Sequence, residues 1–396
     1  MKILMVNKFL HPNGGSETYI FKLGDYLKKI GHSVEYFGME HEGRIVSNSA
    51  GMYTEDMDFH TSSKLRKLTY PFKTIYSKDA EKKITAVLNS FEPDVVHLNN
   101  FNYQLTPSII YAVKKFEKKA GKKIKILYTA HDYQLVCPNH MMMDSGGNIC
   151  EDCADGKYFN CTKKGCIHSS KAKSLIGTLE ATLYSTMKTY RYIDCVICPS
   201  EFMKTKIELN PTLKGKAIAL HNFIDEVEKS ESQKKDYVLY FGRYSAEKGI
   251  KTILKTQGIR YVFAGAGELE KEIDSNPGIE NVGFKTGEEL RELISGAVCS
   301  VYPSVWYENC PFSVMESIMY GTPVIGADIG GIPELIDDGK TGFLFEAGNE
   351  KALEKAITKI TTNPALAKKM SESCLDTKFD TVDEYTEKYL KIIEDL

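Results

Sequence analysis

The residues able to do chemistry gather where apolar, strand-like runs end. After the run 298–302 the chain reads Pro-Ser-Val-Trp-Tyr-Glu-Asn-Cys-Pro-Phe-Ser-Val-Met-Glu. This sets Glu308 just ahead of an apolar helix and Glu316 inside it. A carboxylate beside the free N–H groups of a helix start, here Asn309 to Ser313, accepts sugar hydroxyls, and one further along grips a ribose diol. The plain alternative for Glu308 is a charge that complements the helix dipole. Glu316, between Met315 and Ile318, would be buried, and buried carboxylates need partners. After the run 237–241 come Arg243, Lys248 and Gly249. A guanidinium fork and an ammonium point charge can converge on a diphosphate, although such a pair also suits a solvated loop. In the N-terminal half, Gly14-Gly15-Ser16 precedes a helix and offers backbone N–H groups to an anion, or is only a turn with a cap. His131, at another strand end, can position a hydroxyl or simply be a structural histidine.

The elements that must carry these residues alternate along the chain. Strands are predicted at 2–7, 34–37, 94–98, 124–131 and 194–198, with helices at 17–30, 84–91 and 109–119 between them. A charged, apolar-poor stretch at 226–236 reads as a linker, and the pattern then restarts. Strands follow at 237–241, 260–264, 298–302 and 323–327, and helices at 248–256, 314–320, 350–360, 364–373 and 382–396. Alternation of this kind predicts parallel sheets covered on both faces, with a ligand at the carboxyl ends of the strands.

Composition agrees. The 396 residues are 42% hydrophobic with 30 glycines, which suits about two globular domains. No apolar run reaches the roughly 18–20 residues of a membrane span, and the first strand is too short for a signal peptide. A cytoplasmic protein is expected. The charge is uneven: residues 1–225 carry 31 basic and 23 acidic side chains, net +8, against 20 basic and 30 acidic, net −10, in the remainder. A dinucleotide oxidoreductase is disfavoured because no Gly-x-Gly-x-x-Gly follows the first strand.

The set Gly14-Gly15, His131-Asp132, Arg243…Lys248-Gly249, Glu308-x7-Glu316 and Gly330-Gly331…Glu334 resembles, in order and over the whole chain, the retaining nucleotide-sugar glycosyltransferases of family 4. The resemblance implies an α/β protein of GT-B fold, two Rossmann-like doubly wound domains facing across a cleft. The domains would be an N-terminal acceptor-side domain (1–225) with a cysteine-rich insert (137–168), a nucleotide-sugar domain (226–378), and a last helix (379–396) packing back on the first domain. It further implies catalytic roles for His131 and Glu308. Donor contacts would fall on Gly14, Gly15, Arg243, Lys248 and Glu316, and on Asn309, Cys310, Pro311 and Phe312, which depart from the family's common Gly-Phe-Gly. The Trp-Tyr-Glu-Asn-x-Pro form is similar to that of capsule and surface-polysaccharide members. The implied activity is retaining transfer from a UDP- or GDP-sugar to a glycan or lipid-linked acceptor in capsule, exopolysaccharide or O-antigen assembly. The competing readings are a non-catalytic nucleotide-sugar-binding protein and a GT-B epimerase or inverting transferase. No catalytic cofactor and no nucleic acid partner are expected.

Two stretches fall outside that pattern. Cys150, Cys153, Cys161 and Cys166 approximate zinc-ligand spacing in a loop with no evident core, so a structural zinc is expected there, with free thiols or disulfides as the alternatives. Residues 61–83 hold seven Lys/Arg, two acids and interleaved aromatics, which suits peripheral contact with an anionic membrane, the inner face of the cell membrane, or equally a solvated variable loop.

Overall fold

The computed structural model describes residues 1–56, 73–225 and 233–396. The larger part of the basic stretch, up to residue 72, and positions 226–232 of the expected linker lie outside the described residues. Contacts divide the chain into two compact units. One comprises Met1–Gly146, Cys150–His221 and Val382–Leu396; the other comprises Asn222–Thr381 with Gly147–Ile149.

The first unit is a six-stranded sheet, β1 (Lys2–Val6), β2 (Ser33–Phe37), β3 (Val95–Leu98), β4 (Lys125–Thr129), β5 (Cys195–Cys198) and β6 (Ala217–Ala219). Its order is β2-β1-β3-β4-β5-β6, and every pairing is parallel. The helices are α1 (Gly15–Lys29), α2 (Lys78–Phe91), α3 (Ser108–Ala120), α4 (Phe159–Lys164), α5 (Lys171–Thr186) and α6 (Glu201–Ile207). β3 and β5 are buried along their whole length, Cys195 and Cys198 included. That is why they read as continuous apolar runs rather than alternating ones. In α1, Ile20, Leu23 and Leu27 face the sheet, and Gly31, at φ 94°, follows its end.

The second unit repeats the plan: β7 (Val238–Arg243), α7 (Ile250–Ile253), β8 (Tyr261–Ala266), α8 (Glu270–Asp274), β9 (Ile279–Asn281), α9 (Gly287–Gly296), β10 (Cys299–Tyr302), α10 (Phe312–Met319), β11 (Val324–Ala327), β12 (Gly342–Phe345), α11 (Glu350–Thr361) and α12 (Pro364–Asp376). The sheet order is β12-β11-β10-β7-β8-β9, again all parallel. The last helix, α13 (Val382–Asp395), belongs to the first unit. There the Tyr385 and Tyr19 hydroxyls lie 2.7 Å apart, and Tyr389 stacks on the buried His97 with its hydroxyl 3.1 Å from Nδ1.

Three expectations change. The helix predicted over 248–256 is instead a 3-10 turn, Ala246–Lys248, and a four-residue helix, because Gly249 at φ 75° breaks the run. The strand predicted to reach residue 131 stops at Thr129, leaving His131 in the loop beyond it. The cysteine insert does have a core of its own, Cys153, Tyr158 and Cys161 with Cys166, Ile167 and Ala181 packed against them.

Helix α5 buries a carboxylic acid. Glu180 is 7% exposed, and burial alone pushes its pKa up from 4.5 to about 8. Its charge, once formed, would disfavour ionisation of Tyr103, Tyr158, Tyr184 and Tyr190. The folded pKa is raised, so the neutral acid's contribution to stability is complete below the unfolded pKa and is lost as pH rises through 8. Glu180→Gln cannot ionise. Urea unfolding of the full chain between about pH 6 and about pH 9 should show a shallower fall in midpoint for Glu180→Gln than for the wild type; parallel curves would refute the assignment.

Candidate functional site

In the second unit the site is built on the loops that leave the neighbouring strands β7 and β10. Lys248 donates to Glu308 Oε1 at 2.6 Å and to the Tyr302 hydroxyl at 3.1 Å. The same carboxylate oxygen accepts from Ser304 Oγ at 2.7 Å and from the indole N–H of Trp306, the chain's single tryptophan, at 2.5 Å. The Lys248 and Glu308 side chains are 15% and 7% exposed. Burial works against the lysine's charge, but the Glu308 carboxylate and the Tyr302 hydroxyl outweigh it and hold its pKa above the usual lysine value. The ammonium also lies over the Tyr302 and Trp306 rings, 5.5 and 5.6 Å from their centroids.

Two glycines make this convergence possible. A Cβ on Gly249 would lie 1.8 Å from the Pro303 carbonyl oxygen, so only glycine lets the β7 loop touch the β10 loop. A Cβ on Gly330, at φ 63°, would lie 2.4 Å from the Glu308 carbonyl oxygen, and Gly331 N–H donates to that carbonyl at 2.7 Å. The glycine pair after β11 thus fixes the backbone of Glu308.

Around this centre, Arg243 is the exposed last residue of β7. Cys310 and Pro311 are buried just before α10, and the Cys310 carbonyl accepts from Asn222 Nδ2 at 3.0 Å. Asn309 and Phe312 are half-buried. α10 begins at Phe312, so Glu308 stands four residues ahead of it. Glu316 is half-buried on α10, not buried as its apolar neighbours suggested, because Met315 and Ile318 take the core face.

In the first unit the carboxyl ends of β1, β3 and β4 carry a second polar group. The Asn99 amide donates to His97 O at 3.3 Å, which turns its oxygen toward His131 Nε2 at 2.9 Å. In this arrangement His131 carries its proton on Nε2. Burial pushes the imidazole down to about 3 and the neighbouring Asp132 up to about 6. Gly14 and Gly15 form the start of α1. Glu17, 2% exposed, accepts there from Asn7 Nδ2 at 2.8 Å and Ser16 Oγ at 3.0 Å, while Asn100 Nδ2 donates to Ser16 Oγ at 2.9 Å.

Sequence reading singled out Lys248 and Glu308 but not Tyr302, Ser304, Trp306, Asn99 or Glu17. The lone tryptophan beside a glutamate was the available signal for the first group. Of the four cysteines expected to hold zinc, Cys153 and Cys161 pack with Tyr158 and have Cys166 against them, while Lys164 donates to Cys150 Sγ at 3.2 Å and pairs with Asp152. Among the described residues no three His, Cys, Asp or Glu side chains are placed to hold a metal ion, and all ten cysteines are free.

Removing one partner of a buried ion pair strands the other charge, at a cost of about 3–5 kcal/mol, whereas removing both costs less. Lys248→Met and Glu308→Leu should each destabilise the chain by roughly that amount, and the double variant by less than their sum. Additive losses in chemical denaturation would show that the pair carries no coupling.

The Glycosyltransferase Family 4 model matches residues 13–228, and the Glycosyl transferases group 1 model matches residues 222–374. An uncharacterized 42.6 kDa protein in the cps region of Klebsiella pneumoniae is 24% identical over 85% of this chain and 87% of its own. An uncharacterized glycosyltransferase of Methanocaldococcus jannaschii is 25% identical over 52% of this chain, a match that spans 60% of that relative's length. Among solved structures, Anabaena HepE in complex with UDP and glucose superposes over the whole of both chains with a TM-score of 0.67 at 15% identity. Two parallel doubly wound sheets of this kind are the GT-B fold. With one family model covering more than half of its length, the chain belongs to glycosyltransferase family 4.

Proposed function

We propose that the protein is a retaining glycosyltransferase that moves a hexose from a UDP- or GDP-sugar to a glycan or lipid-linked acceptor in surface-polysaccharide assembly. The observation that carries the reading is the Lys248 ammonium, kept charged in a largely buried position at the carboxyl ends of β7 and β10. A buried, fixed cation is what a nucleoside-diphosphate leaving group needs, since the barrier falls when charge developing on its oxygens is met by a preorganised donor. Arg243, exposed at the end of the same strand, supplies the second cation. The relative in a cps region and the structural neighbour holding UDP and glucose support the substrate classes.

In this reading Glu316 holds the ribose diol, Glu308 orients the transferred sugar, and the backbone at Gly14 and Gly15 contacts the phosphate side. His131, its Nε2 held by Asn99 at 2.9 Å, lies near the transferred sugar in this reading. The acceptor attacks the anomeric carbon on the face the diphosphate leaves, and the departing diphosphate oxygen takes the acceptor's proton. No protein carboxylate forms a bond to the sugar.

A thermal-shift screen of UDP-, GDP- and ADP-sugars identifies the donor, because bound ligand stabilises by mass action. With that donor, Lys248→Ala and Glu316→Ala should raise KM at least about tenfold, while Glu308→Gln should lower kcat by about 10²–10³ with little change in KM. NMR of the product should show the donor's anomeric configuration. Wild-type kinetics in Lys248→Ala, or an inverted product, would overturn the reading.

A further inference from the structure

Helix α5 is built the wrong way round for a helix of a soluble protein. It buries Ser174, Gly177, Thr178 and Glu180 along with Tyr184. It turns Leu175, Leu179 and Leu183 outward, 41%, 50% and 37% exposed, and Met187, just past its end, is 46% exposed. The inversion has a local cause. A Cβ on Gly177 would lie 2.5 Å from Ile167 Cδ1 and 2.8 Å from the Tyr103 hydroxyl, so the small, polar side of the helix is the side that fits against the fold. The Thr178 hydroxyl donates to Tyr158 O at 3.0 Å and accepts from Thr162 Oγ1 at 2.8 Å, and Ser174 Oγ accepts from Ile167 N–H at 2.9 Å.

The four apolar side chains follow one another at four-residue intervals. They form a stripe about 18 Å long on one side of the helix. Along the helix and just past its end, the exposed charges are positive: Lys171 and Lys173 at one end, Lys188 and Arg191 at the other. The helix's one acid, Glu180, points into the fold. An apolar stripe with cations at both ends matches the headgroup-to-acyl boundary of an anionic bilayer, where such a helix lies in the plane with its apolar side sunk in and its lysines on the lipid phosphates. A second copy of this chain fits worse. A two-fold pairing of the stripe would set Lys171 and Lys173 against Lys188 and Arg191 of the other copy, like charge on like.

We infer that α5 is a membrane-docking helix, seating the first unit on an anionic lipid surface through Leu175, Leu179, Leu183 and Met187, with Lys171, Lys173, Lys188 and Arg191 on the headgroups. The inference stands on this helix and not on the donor site, so the two can fail separately.

The test is cosedimentation of the full chain with vesicles of phosphatidylcholine alone or mixed with phosphatidylglycerol. The wild type should bind the anionic vesicles at low salt, release near half-molar salt, and bind neutral vesicles at least about tenfold less. Leu175→Ser/Leu179→Ser/Leu183→Ser should lose about tenfold or more in binding to anionic vesicles, while its thermal melt and donor-induced shift stay at wild-type values. Lys171→Glu/Lys173→Glu/Lys188→Glu should lose the preference for anionic vesicles. A third variant places glutamate at Lys64, Arg66, Lys67 and Lys73. If that variant alone releases the protein while the leucine variant binds as wild type does, the surface lies elsewhere and the inference falls. It falls equally if no vesicle binds, or if sedimentation velocity shows a dimer that the leucine variant abolishes.

Discussion

In a parallel sheet all strands run one way, so every loop that can meet a ligand leaves from one edge. A crevice opens there only where successive crossovers turn in opposite directions. Each unit of this protein has one such point. In the second sheet it lies between β7 and β10, neighbours in space though β8 and β9 lie between them in sequence. Lys248 comes from the loop after the first and Glu308 from the loop after the second, and Gly249 lets the loops touch at Pro303. In the first sheet it lies between β1 and β3, where Asn100 N–H donates to Asn7 Oδ1 at 3.0 Å beside the start of α1. Strand order fixes where the chemistry sits; the glycines fix how closely it converges.

The same constraint decides what could be read in the sequence. β3 and β10 are short apolar runs bounded by polar corners, and they read as strands because both of their faces are covered. Lys248 and Glu308 were legible because charged residues directly after such runs stand at the reactive edge. What surrounds Glu308 was not. Tyr302, Ser304 and Trp306 converge on one carboxylate oxygen through the path of the turn after β10, and no periodicity records a turn's path. The short helix after Lys248 was over-read for a related reason. The apolar spacing continues past Gly249, but the left-handed backbone that brings Gly249 against Pro303 also ends the helical run.

α5 shows a different limit. No helix was expected over this segment, and the spacing of Leu175, Leu179 and Leu183 would assign its buried side wrongly. The pattern rule treats the apolar side as the inward one. Here that rule yields to close packing at Gly177, and the insert's small core of Cys153, Tyr158 and Cys161 depends on the approach that Gly177 allows. A place where the local rule fails while the fold remains well packed is where a functional demand on the surface is to be sought.

The ion pair at the centre of the second unit gives the donor reading its energetic form. A buried lysine cannot wait unpaired, since desolvation alone would drive off its proton. Glu308 supplies the counter-charge, and Ser304 and Trp306 satisfy the same carboxylate so that it does not wander. In the proposed reaction the arriving diphosphate takes over part of that counter-charge. Binding is then an exchange of one anion for another at a preformed cation, with little change in net buried charge. The carboxylate released from the lysine keeps its two neutral donors and its backbone anchor at Gly331. It is left in place to accept hydrogen bonds from the sugar's hydroxyls. In that reaction the arrangement that keeps Lys248 charged without substrate is the one that frees Glu308 to orient the sugar when substrate arrives.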